Sequence, residues 1–350
     1  MSDSPPSYAV TGADLESDRE AIVALWSSTL GHAERRNDKF DWFYRRNPGG
    51  TPTVLLAHPA AAAAASIGVV GLGPRRMQID GRPLTAGLLA DFGVSPEHRT
   101  LYPAMLLQTA LRDRCLPRLG LIFGFPNPRS EPVVRRLGYS AVGRFVRYVR
   151  VVRSADYLPA AIPAIARRGL GGLIDGWRRG ALPRPPEPDA LAIEWQERPD
   201  ERFDALWQAQ IGQPMLIGVR DRAFLEWRFE SKPWRQCRFL TLRRLGGGLA
   251  GYAVCETADK ALHIRDLLID PRLPGSLGPL LRAAFRAARA SGRSSVSFEF
   301  LGPRWMRDVL LALGMVPRES SSVLATALPE AAGPPLIERD WYLTFADQDI

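Results

Sequence analysis

The chain has 350 residues, 46% of them hydrophobic and 24% charged, a globular composition that excludes an intrinsically disordered or fibrous protein. Its net charge of +9 is carried almost wholly by arginine, the lysines being Lys39, Lys232 and Lys260, and the basic residues are scattered rather than run together. That balance suits anionic partners, but no recognisable nucleic-acid module accompanies it, which argues against DNA or RNA. Cys115, Cys237 and Cys255 are an odd number without a CxxC, so neither a disulfide framework nor a zinc site is indicated. Met1 to Pro6 has no basic start and no apolar run, and a cytoplasmic location is the expectation.

In chain order, residues 13–30 place apolar side chains at Ile22, Val23, Leu25, Trp26 and Leu30, a spacing that predicts an amphipathic helix capped near Asp14. A second helical piece over 40–46 is stopped by Asn47-Pro48-Gly49-Gly50. Strands follow over 53–57 and 66–71, then a pair meeting at Asp80-Gly81, where glycine supplies the positive φ of a tight hairpin. The apolar stretch 54–73 invites a transmembrane reading, but it is alanine-rich, contains Pro59 and reads as separate strands. Gly68, Gly71 and Gly73 look like part of a dinucleotide fingerprint without its helix, and read better as a glycine-spotted strand. A strand over 84–94 leads through Ser95-Pro96 to a long helix over 102–115, a strand over 121–125 and a helix ending at Leu137-Gly138.

Between 154 and 190 the composition shifts, with prolines bracketing an apolar segment that holds Arg167, Arg168, Arg178 and Arg179. It reads as a connector with one or two short helices. The alternative is a basic amphipathic helix resting on an anionic membrane through 157–182, a reading weakened by Gly169, Gly171 and Gly172. Helices are then expected over 200–211, 224–229, 279–290 and 305–313, and strands over 237–243, 249–256, 261–269 and 295–300. Trp341 to Thr344 reads as a last strand that crosses to the other half, followed by Asp347 and Asp349.

The second half repeats the first. Trp42-Phe-Tyr44 with Pro48 returns as Trp227-Arg-Phe229 with Pro233, and Asp91 to Pro96 returns as Asp266 to Pro271. Phe123-Gly-Phe125 returns as Phe298-Glu-Phe300, and Leu137-Gly138 as Leu313-Gly314. Four anchors in one order, at nearly one separation, indicate duplication of a whole domain rather than a short-repeat solenoid. Residues 1–153 and 191–350 are thus expected to be two copies of one α/β (α+β) unit, each a mixed, mainly antiparallel sheet flanked by helices and joined by 154–190.

The order strand, Val94-Ser-Pro96-Glu97-His98-Arg99, long helix, strand, Asn127, helix, Leu137-Gly138-Tyr139 resembles the GNAT (Gcn5-related N-acetyltransferase) family, and the duplication resembles its tandem members. The resemblance covers about residues 8–150 closely and 191–328 less so. It implies an N-acyltransferase that takes an acetyl or other acyl group from acyl-CoA, with acetyl-CoA as the usual co-substrate. The acceptor would be an amine on a small metabolite or amino sugar, and no metal is called for. The first copy would hold the cofactor, with Val94 offering backbone to the pantetheine. Arg99, Thr100, Leu101, Tyr102, Pro103 and Ala104 would meet the pyrophosphate at a helix N-terminus, and Asn127 would help hold CoA. The second copy would shape the acceptor cleft.

Asp91 resembles the position of the base that deprotonates the acceptor ammonium, and its recurrence as Asp266 equally fits a structural carboxylate. Tyr102 stands where the family's phosphate loop has its middle glycine, and Leu277 replaces the final small residue of the second loop. The family's tyrosine acid is replaced by Val134 and Leu310, leaving Tyr139 and Ser130 as nearby hydroxyls. These departures keep two alternatives open: a non-catalytic GNAT-like scaffold or ligand binder in a surface-polysaccharide system, and a Fem-like transferase using aminoacyl-tRNA.

Overall fold

A computed structural model describes residues 7–31, 33–61, 65–180, 191–232, 234, 236–329 and 335–349. The first half runs β1 (Tyr8–Gly12), α1 (Arg19–Thr29), α2 (Arg36–Lys39), β2 (Thr53–Pro59), β3 (Gly68–Ile79), β4 (Arg82–Val94), α3 (Leu101–Leu119), β5 (Leu121–Gly124), α4 (Glu131–Arg136) and β6 (Ser140–Val151). After α5 (Ala164–Gly180) come β7 (Leu191–Gln196), α6 (Glu201–Gln208), β8 (Leu216–Gly218), α7 (Arg222–Leu225), β9 (Cys237–Arg244), β10 (Leu249–Ala258) and β11 (Ala261–Ile269). The chain continues through α8 (Leu277–Ala290), β12 (Ser295–Leu301), α9 (Arg304–Ala312), β13 (Val316–Ala327) and β14 (Trp341–Thr344).

Local chemistry explains where these bounds depart from the expected ones. The first helix starts at Arg19 because Asp14 is spent on a turn, its carboxylate accepting the N–H groups of Glu16 and Ser17 at 2.9 Å each. The two aromatic segments are π-helical turns, Phe40–Arg45 and Glu226–Glu230, a rare geometry that simple periodicity does not announce. The hairpin at Asp80-Gly81 forms as read, with φ of 50° and 76°. The apolar 54–73 stretch becomes β2 and the start of β3, residues 62–64 lying outside the described ones. Among the described residues no helix is long and apolar enough to cross a membrane.

Among the described residues the strands form one 14-stranded sheet, its main path in the order β1-β2-β3-β4-β5-β13-β6-β12-β11-β10-β9-β7. The halves trade their last long strands: β13 lies between β5 and β6, and β6 pairs with β12. Off the main path, β14 pairs with β12 and β8, and β8 pairs with β3. The strands β3, β4, β5, β13, β6, β12, β14 and β8 therefore close into a ring shared by both copies. Each copy's sheet is completed by the other's strand.

Strand directions fix how the two copies face. Both β4/β5 and β11/β12 are parallel pairs, while β12 runs opposite to β6, and β6 runs the same way as β5. The C-terminal ends of β4/β5 and of β11/β12 thus lie at opposite ends of the ring. One apolar cluster mixes the copies, packing Trp26, Phe40, Trp42 and Phe43 with Phe123, Leu216, Val323, Trp341 and Leu343. Each such buried side chain contributes about 1.5–3 kcal/mol. The last strand does not cross over as expected: β14 pairs with β12 and β8 of its own half, and its side chains reach the first copy, Trp341 packing edge-on against Phe123 at 5.6 Å.

Candidate functional site

In the first copy, β4 and β5 pair only at Gly87–Ile122 and Leu88–Phe123, after which β4 runs on to Val94. Among the described strands none pairs with that far edge, so the two central strands open a fork. Helix α3 starts beside it. The Thr100 side chain makes no capping bond, and the leading N–H groups of a helix have no partner within it. Tyr102 does not fill the fork: it is 56% exposed, its ring 5.8 Å from that of Tyr8. Leu101 is exposed as well, while Pro103 and Ala104 face inward. Arg99 turns back on its own loop, Nε and Nη2 each donating to the Val94 carbonyl at 3.2 Å. Beyond β5, the Asn127 carboxamide oxygen accepts the N–H groups of Arg129 and Ser130 at 2.9 and 3.0 Å and so shapes the turn into α4. The structure thus gathers Val94 and Arg99 to Ala104 at one mouth. Asn127 has local work of its own.

Asp91 lies on the splayed part of β4 where an extra residue bulges the strand against β3, at a φ of 46°. It is buried and fully engaged. Lys39 Nζ donates to Oδ1 at 2.7 Å, the Tyr44 hydroxyl donates to Oδ2 at 2.9 Å, and Arg36 lies 3.6 Å from Oδ1. Gly71 makes this possible, since any Cβ there would strike the Tyr44 hydroxyl. Burial pushes the Asp91 carboxyl up, with Lys39 opposing. Burial, reinforced by the charge of Asp91, raises Tyr44 and keeps it a protonated donor. Lys39 Nζ also lies 3.4 Å from Asp349, a carboxylate whose side chain is 27% exposed.

Asp266 repeats the arrangement with different donors. Arg220 Nε donates to it at 3.0 Å, the Tyr252 hydroxyl at 2.7 Å and the Thr344 hydroxyl at 2.6 Å. Arg220 also donates to Asp347 at 2.6 Å, and Arg75, from the first copy, donates to the same carboxylate at 2.8 Å. The second fork is occupied by the chain itself: β14 pairs with β12 at Phe300 and Leu301, and the Tyr342 hydroxyl donates to the Leu267 carbonyl. Past this plug lies a groove of about 400 Å³ lined in part by Gln213, Met215, Leu268, Trp305 and Tyr342. Topology places that groove at the opposite end of the ring from the first fork. Arg272, like Arg99, is turned back, donating to Asp270 at 2.8–2.9 Å.

The hydroxyls singled out as substitute acids are placed elsewhere. Tyr139 is sunk among the residues under α3, and burial raises it strongly. Ser130 donates to the Asn127 carbonyl. Val134 and Leu310 are buried and apolar. Lys39, Tyr44 and Arg220 were missed from the sequence. The sequence offered one signal, the scarcity of lysine in an arginine-rich chain; the structure buries two of the three lysines, Lys39 and Lys232.

No protein-family model matches the chain, and no curated protein matches it in sequence. Solved structures match its fold. A probable N-acyltransferase from Enterococcus faecalis aligns with TM-score 0.63 at 13% identity, over 92% of this chain and 73% of its own. A tandem GNAT protein from the clavulanic acid biosynthesis pathway aligns at 0.56 and 15% identity, over 94% of this chain and 100% of its own. Saccharomyces cerevisiae N-myristoyltransferase with bound myristoyl-CoA aligns at 0.53 and 12% identity, over 97% and 90%. The fold is that of the GNAT acyltransferases. A tandem GNAT protein is among these neighbours over its full length, in keeping with the duplicated form of the fold.

Proposed function

We propose that the protein is an N-acyltransferase that binds acyl-CoA, acetyl-CoA by first expectation, at the first fork and transfers the acyl group to an amine of a small metabolite or amino sugar. The observation that carries this reading is the first fork itself: an unpaired β4 edge beside the uncapped start of α3, with Tyr102 turned outward. A pantetheine arm can pair with such an edge, and a pyrophosphate suits a helix N-terminus. The second fork offers neither edge, since β14 and Tyr342 already use it.

An ammonium must lose a proton before it attacks a thioester. Asp91 is poorly placed to take that proton, because both its oxygens already accept hydrogen bonds from Lys39 and Tyr44 and it is shut away from solvent where an acceptor would arrive. We assign Asp91 to positioning Lys39 and Tyr44, and the proton to Asp349, the part-exposed carboxylate on the same lysine. The departing thiolate takes its proton from water. The bond between Arg99 and the Val94 carbonyl favours the runner-up reading, a GNAT-like scaffold without catalysis.

Calorimetric titration with acetyl-CoA, free CoA and longer acyl-CoAs separates the two. Leu101→Asp places a carboxylate at the exposed helix start, where it repels a pyrophosphate yet suits the helix dipole. The enzyme reading expects micromolar binding that this variant weakens by about tenfold or more (~1.4 kcal/mol), with melting temperature unchanged or raised. No heat with any of these ligands overturns the reading.

A further inference from the structure

Among the described residues the connector holds a short 3-10 turn, Ser154–Tyr157, and one longer helix, α5, whose outward face has no partner among those residues. Its inner face is pinned. The Asp175 carboxylate accepts the Ser154 N–H at 2.9 Å and an Arg289 N–H at 2.8 Å, and Gly171 lies so close to the Ala155 backbone that no side chain fits. Held this way, the helix presents Ile165 at 85%, Leu173 at 72% and Trp177 at 75% exposure, with Leu170 and Tyr157 also exposed. Isolated exposed apolar residues are ordinary, but a run of them on one anchored helix marks a contact surface.

Charge decides what the surface meets. The α5 sequence carries four arginines and one aspartate, and that aspartate is already paired with Arg289. A second copy of the chain would bring two such arginine sets together, and like charges repel. A bilayer with anionic headgroups answers both features: apolar side chains enter the acyl boundary, Trp177 sits at the headgroup level, and arginines meet phosphates. The glycines cited against this helix are accommodated: Gly171 by its packing on Ala155, and Gly169, Gly172 and Gly176 in open space. Direction supports the placement, because β6 runs the same way as β5 and delivers α5 to the end of the ring toward which the first fork opens.

We propose that α5 is a monotopic membrane-docking helix that holds the protein on anionic lipid surfaces. The proposal stands on α5 alone and does not require the acyltransferase reading. Its test is co-sedimentation of the full chain with vesicles of phosphatidylcholine alone and of phosphatidylcholine containing about one-quarter phosphatidylglycerol. Binding is expected only with phosphatidylglycerol, falling as salt rises. Leu173→Ser/Trp177→Ser should weaken it about tenfold or more, and Arg167→Gln/Arg168→Gln roughly tenfold. All four side chains lie on the connector helix outside both copies' cores, and circular dichroism confirms that the variants remain folded. No binding to the phosphatidylglycerol vesicles at low salt, or equal binding by the Leu173/Trp177 variant, overturns the proposal. Sedimentation analysis showing a dimer that this variant dissolves, without vesicle binding, overturns it in favour of self-association.

Discussion

Trp42 and Trp227 stack face to face across the duplication, their ring centroids 4.8 Å apart and their planes 14° from parallel. Each indole N–H donates to the other residue's backbone carbonyl, at 2.8 and 3.0 Å. The relationship is reciprocal, so the axis relating the copies passes between the two rings. The sequence repeat that brings tryptophan back at the same point thus has a packing cause: each π-helical turn offers the surface that the other covers. Trp42→Ala should cost about 3–5 kcal/mol, and Trp227→Ala less because that ring is half-buried. The double variant should lose less than the sum, by about 1 kcal/mol, since either single change already removes the stack. Urea denaturation of the four proteins in the cycle measures this, and strict additivity would contradict it.

The charges between the copies give a second expectation, with a definite sign. Burial alone would raise the Asp347 carboxyl, but Arg220, Arg75 and the Thr344 N–H together hold it below the usual carboxylate range. A carboxyl depressed in the folded state contributes stability that is fully present above its unfolded value, about pH 4, and is lost as pH falls through the folded one. The denaturation midpoint should therefore decline as pH drops from about 5 to 3, and Asp347→Asn should flatten that decline. At neutral pH the same variant should cost about 3–5 kcal/mol, because it leaves Arg75 and Arg220 short of a buried counter-charge. An unchanged acid limb in Asp347→Asn would show that other carboxylates set it.

Much of this architecture could be read from the chain, and what could not has a physical reason. Repeat anchors and hairpin glycines are local signals, and they gave the duplication, the Asp80-Gly81 turn and most elements from β2 onward, but not the strands β6, β7, β8 and β13. The exchange of β6 and β13 is not local. Each strand reads the same whether it completes its own sheet or its neighbour's, and only the closed ring distinguishes them. The site divides the same way. Val94 and Arg99 to Ala104 follow one another in sequence and form one mouth. Lys39, Asp91 and Asp349 come from opposite ends of the chain, and Tyr44 and Tyr252 reach equivalent aspartates from non-equivalent elements. No spacing rule links such residues.

The groove at the second fork tests the assignment of the cofactor to the first. If acyl-CoA binds beside α3, Trp305→Ala and Gln213→Trp, which alter only the far groove, should leave acyl-CoA affinity within about twofold of the parent. A drop of about tenfold or more in both variants would move the cofactor to the second copy, because the grooves face opposite ends of the ring and share no lining residue.

The two carboxylates on Lys39 should separate by what each loses. Asp91→Asn removes the buried counter-charge of Lys39 and should lower stability by about 3 kcal/mol or more, as expected when one partner of a buried pair is removed. Asp349 is part-exposed and bonded only at 3.4 Å, so Asp349→Asn should leave the melting temperature nearly unchanged. Its cost should fall on turnover. Once an accepted amine is in hand, kcat should drop by roughly 10²–10⁴-fold with KM for acyl-CoA unaltered. Activity should also recover as pH rises toward the amine's own range, since an amine already deprotonated needs no base. If instead Asp91→Asn abolishes turnover at full stability while Asp349→Asn is silent, the base is Asp91, and Lys39 must release one of its oxygens when substrate binds.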